Sequence, residues 1–235
     1  MIIKMDIPFG EGNFVSKRSL KNLEYNSMIE VPNDAFVIVD KESERCRFEL
    51  SKSEGVILNS KPRGIGNLFK KIDSNKYTIY FVSTAKVEGK YGGNFNVRNL
   101  NISELEYEKI FYQVEYWFKV QDSKRLIENF ISEDFTHYSR DYFRGKIGKQ
   151  IQAVIEEVIS LNISKNGLAN FSNNSTNIIK EIENKLNDEN YNFSWDAGIK
   201  LGIIKLNVSE DDKIKSIKED SEIRKYQKKM AKDSI

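Results

Sequence analysis

The sequence predicts an α+β protein, and three stretches carry that prediction. They are a long alternating run at 107–120, helix-spaced apolar residues between 123 and 187, and a second strand pattern that leads directly into a charged helix. In the first, Ile110, Tyr112, Val114, Tyr116 and Phe118 recur at every second position. That period places them on one face of a half-buried strand. Glu108, Gln113, Glu115 and Lys119 interrupt the run, which excludes a membrane span there.

The remaining elements follow in order. Asp122 and Ser123 offer a turn and a helix N-cap before Leu126, Ile127, Phe130 and Ile131, whose spacing marks one face of a short helix. Ser132, with Glu133 and Asp134 behind it, predicts the start of a long helix striped by Ile147, Ile151, Val154, Ile155, Val158, Ile159 and Leu161. Asn166-Gly167 ends that helix, because glycine takes the left-handed conformation at little cost. Helical spacing resumes over 172–187 with Ile178, Ile179, Ile182 and Leu186. Trp195 to Val208 then reads as a strand, with Ile199, Leu201, Ile203 and Leu206 as its apolar side chains. Ser209 to Asp212 is expected to cap the last helix with acids at its positive end. Asp73-Ser-Asn75 and Gly92-Gly-Asn94 read as turns, and Lys61 to Gly66 as a loop.

This order resembles the SPFH domain, also called Band 7, which stomatins, prohibitins and flotillins share. The residues that carry the likeness are Tyr112-Gln-Val-Glu-Tyr-Trp-Phe-Lys-Val-Gln-Asp122, Arg144 to Leu161, Asn192 to Val208, and Val208 to Ile217. Further upstream, Met28 to Asp40, Arg45 to Leu50, Thr78 to Ser83 and Val87 to Gly93 are similar to the strands and turns of a soluble bacterial branch labelled virion-core-protein-like. The resemblance implies a mostly antiparallel sheet packed by helices, with an extended C-terminal helix. It divides the chain into a lead segment 1–27, a domain 28–208 and a charged helix 209–235. The longer members of that branch carry a cysteine-rich zinc ribbon, which this chain lacks.

Composition agrees with a folded domain. The chain has 235 residues, 39% of them hydrophobic, enough for one large domain or two small ones. Its 37 basic and 35 acidic residues leave a net charge of +2, which says little about partners. Cys46 is the single cysteine and excludes an internal disulfide. No stretch reaches the roughly 18–20 apolar residues of a membrane span, and Met1 to Gly10 does not read as a secretory signal. Stomatin-like relatives carry a hydrophobic anchor at this place, and none is read here, so a cytoplasmic location is expected, with membrane met peripherally, through a partner, or not at all.

No residue pattern points to catalysis or to a bound cofactor or metal. His137 is the single histidine, so a histidine-based metal site or catalytic triad would have one imidazole to work with. Gly64-Ile-Gly66 lacks the Gly-Lys-Ser/Thr ending of a phosphate-binding loop. Glu156-Glu157 are helix neighbours that do not face one point. A nucleic-acid platform would need aromatics set among a basic excess, which is missing.

Two regions are candidates for contact. Phe9, Phe14, Val15 and Leu20 of the lead segment either dock on the domain or, as with Phe9 and Phe14, touch lipid or a partner, while Lys61, Arg63, Lys70 and Lys71 form a basic cluster suited to an anionic lipid surface. The second region is the last helix, where Ile214, Ile217, Ile223, Tyr226 and Met230 are the sparse apolar residues among many charges. A helix of that kind buries little alone and is expected to pair with another copy or a partner. The expected function is that of a non-catalytic scaffold that forms homo-oligomers and organises protein partners at the inner membrane face. The resemblance adds a tie to envelope stress. A monomeric or dimeric adaptor for one protein partner is the alternative.

Overall fold

The computed structural model describes residues 1–5, 9, 12–41, 46–51, 56–57, 72–98, 107–131, 137–191 and 196–210. Their fold is α+β with mostly antiparallel sheets. The strands are β1 (Ile2–Ile3), β2 (Asn13–Glu24), β3 (Met28–Ile29), β4 (Ala35–Lys41), β5 (Cys46–Ser51), β6 (Val56–Ile57), β7 (Ile72–Ser83), β8 (Val87–Arg98), β9 (Tyr107–Val120), β10 (His137–Ser139) and β11 (Ile199–Glu210). The helices are α1 (Ser123–Asn129), α2 (Arg140–Asn166), α3 (Leu168–Asn173) and α4 (Ser175–Asn187). The chain forms two compact units. The first holds 1–87, 118–147 and 187–201; the second holds 88–117, 148–186 and the residues from 202 on.

The first unit is built on a five-stranded sheet in the order β10-β2-β7-β4-β5, with a small sheet β1-β3-β6 beside it in sequence. β7 lies near the middle and buries Tyr77, Ile79 and Phe81 on one face and Tyr80 and Val82 on the other. One face joins Ile3, Leu23, Ile29, Val31, Val37 and Val39 in a single core. β2 runs antiparallel to β7 from Val15↔Val82 to Glu24↔Ile72, so residues 13–24 are an interior strand of this sheet. The expected turn at Asp73-Ser-Asn75 lies within β7. Its side-chain chemistry survives as an irregularity in the ladder, where the register shifts between Lys21 and Leu23 and Asn22 takes a φ of 55°. The buried Asp73 carboxylate there accepts hydrogen bonds from the Asn75 N–H at 3.0 Å, Asn75 Nδ2 at 2.7 Å and the Tyr77 hydroxyl at 2.6 Å. Buried charge is tolerated when it is bonded in this way.

The expected cap of the short helix is present, since Asp122 Oδ1 accepts from the Arg125 N–H at 3.0 Å. The long helix begins later than expected. His137–Ser139 form β10, antiparallel to β2, and Ser139 Oγ accepts from the Tyr142 N–H at 3.1 Å. Pairing of 137–139 with β2 decides against one helix running on from Ser132, itself outside the described residues.

The second unit has a three-stranded sheet in the order β11-β9-β8. From β9 it takes the buried Ile110, Tyr112, Val114 and Tyr116, and from α2 Ile151, Val154, Ile155, Val158 and Ile159, as their spacing predicts. Leu161, expected on the same stripe, is 45% exposed. α4 buries Ile178 and Ile182, while Phe171 is buried from the separate helix α3. Gly92-Gly-Asn94 is not a turn but the middle of β8. Tyrosine rings from β9 fill the space that a side chain would need, for a Cβ on Gly89 would stand 2.5 Å from Tyr116 Cζ and one on Gly93 2.7 Å from Tyr112 Oη. Ser209 and Glu210 are the last residues of β11, and the rest of the expected cap, Asp211 and Asp212, lies outside the described residues. The charged helix expected over 211–235 lies outside the described residues.

Candidate functional site

The second unit concentrates the features that bear on contact, and its sheet has two unlike faces. On the helix-covered face, the Tyr91 hydroxyl donates to Gln152 Oε1, Gln152 Nε2 donates to Glu156 Oε1 at 2.9 Å, and the Tyr112 hydroxyl lies 3.4 Å from the same carboxylate oxygen. Burial foremost, and then the negative charge of Glu156, push the Tyr112 hydroxyl well above the ordinary tyrosine value. It therefore holds its proton at neutral pH, and the cluster acts as a hydrogen-bonded tie between strand and helix. Glu157, one residue on, turns elsewhere and takes Lys185 Nζ at 2.6 Å. The two adjacent carboxylates thus serve different partners, as their helical spacing requires.

The opposite face carries the odd-numbered residues of β9. Lys90 Nζ meets Glu115 Oε1 at 2.8 Å, and this bond raises the lysine and lowers the glutamate relative to their ordinary values. Both are solvated, so the pair fixes orientation more than it stabilises. Trp117 lies over Gly202, where any Cβ would overlap the indole. Phe111 and Ile204 are exposed, and Lys109 Nζ stands 5.2 Å from the Phe111 ring centre.

The edge strand β11 has a divided border. In the first unit, the Asn187 side chain behaves like a neighbouring strand toward Leu201: Oδ1 accepts from its N–H and Nδ2 donates to its carbonyl, both at 2.9 Å. In the second unit, Glu183 Oε1 accepts from the Ile203 N–H at 2.8 Å. Neither residue was a candidate from sequence. Their role depends on the position of α4 along β11, and a lone Asn or Glu in a helical run carries no local sign of it.

The sequence-derived contact residues fall in three places. Phe14 is fully buried in the first unit, with ring centres 5.5 Å from Phe118 and 4.7 Å from Phe143. Its assignment to lipid or partner contact is corrected to a core role, the docking alternative. Phe9 and Leu20 pack, partly buried, against the Ile3–Phe81 core. Lys61, Arg63, Lys70 and Lys71, and Ile214, Ile217, Ile223, Tyr226 and Met230, lie outside the described residues.

His137 is exposed. No cluster of His, Cys, Asp or Glu able to hold a metal occurs among the described residues. Among them, too, no helix is long and apolar enough to cross a membrane.

A scan against protein-family models found no match to this chain. A search of curated proteins found none either.

Proposed function

We propose that this chain is a non-catalytic scaffold of the SPFH, or Band 7, type, which self-associates and organises partner proteins peripherally at the cytoplasmic face of a membrane, with envelope stress as its setting. The observation that supports this reading is the order of elements: the strand Tyr107–Val120, the capped helix Ser123–Asn129, the helices Arg140–Asn166 and Ser175–Asn187, and the strand Ile199–Glu210 immediately before the charged segment. In this reading Ile214, Ile217, Ile223, Tyr226 and Met230 join subunits. The basic cluster Lys61, Arg63, Lys70 and Lys71 contacts anionic headgroups, each such residue contributing about 1 kcal/mol near the surface. Weak contacts of both kinds become strong once several subunits act together.

Light scattering on the full-length chain tests the proposal. A mass several times the 27.3 kDa of one chain is the expected result, and a monomer at all concentrations overturns it. Co-sedimentation with phosphatidylserine vesicles that fades with added salt is expected of the basic cluster. Binding indifferent to salt would remove that part of the reading.

A further inference from the structure

We draw no further inference here: the strongest candidate, the face of the β11-β9-β8 sheet that carries the exposed Phe111 and Ile204, supports no proposal because nothing in the structure shows what covers it.

Discussion

The two main sheets treat their second face differently. In the first unit, β7 buries apolar side chains on both sides, and Phe14, Phe118 and Phe143 form a buried aromatic cluster. In the second, β9 buries its even residues against helices and leaves its odd residues to an ion pair, an indole over a glycine and an exposed phenylalanine. Stability and contact are thereby divided. A sheet buried on both faces offers a partner less than one whose second face is solvated.

That contrast is most easily broken at Phe14. Phe14→Ala is expected to cost about 3–5 kcal/mol, since it removes a fully buried ring between two others. Phe111→Ala on the open face is expected to stay within about 0.5 kcal/mol. Urea unfolding of both variants measures the difference, and equal losses would abolish the distinction.

A smaller effect is expected at the glycine fit. Gly93→Ala pushes a methyl group into the Tyr112 ring and is expected to cost about 1–3 kcal/mol, read as a lower thermal midpoint. Gly145→Ala serves as the control, because nothing lies within 4 Å of its added Cβ. That change, in α2, is expected to be neutral or to raise the midpoint.

The tyrosine tie sharpens the comparison through pH. The folded-state value of Tyr112 lies above its unfolded value near 10, so the folded chain holds the proton longer. Its contribution is whole below the unfolded value and is lost as pH climbs toward the folded one. Stability of the parent chain should therefore fall more steeply above about pH 10 than that of Tyr112→Phe. Parallel curves would place the proton elsewhere.

The smallest effect belongs to Lys90 and Glu115. Lys90→Met is expected to leave the unfolding midpoint unchanged at physiological salt, because both partners are solvated.

Much of the fold was legible wherever the pattern was local. The period of two in 110–118, the Asp122 cap, the Gly167 helix end and the isoleucine stripe of α2 all read directly, because each is set by neighbours a few residues apart. Glycine and asparagine signals misled at 73–75 and 92–94. They mark departures from ordinary strand geometry, and a turn is only one such departure: the first was a ladder irregularity, the second a bed for tyrosine rings. Residues 13–24 gave a weak local signal, with Phe14 and Val15 adjacent and charges beyond, and only pairing with β7 makes them a strand.

The sequence alone thus determined the α+β class and most of the run of elements from Tyr107 to Val208, but not β10. Local periodicity and caps are properties of the chain itself. What the tertiary structure decided was which faces are spent. It buried Phe14 in an aromatic core and brought Asn187 and Glu183 to the border of β11, because these outcomes depend on which distant segments pack together.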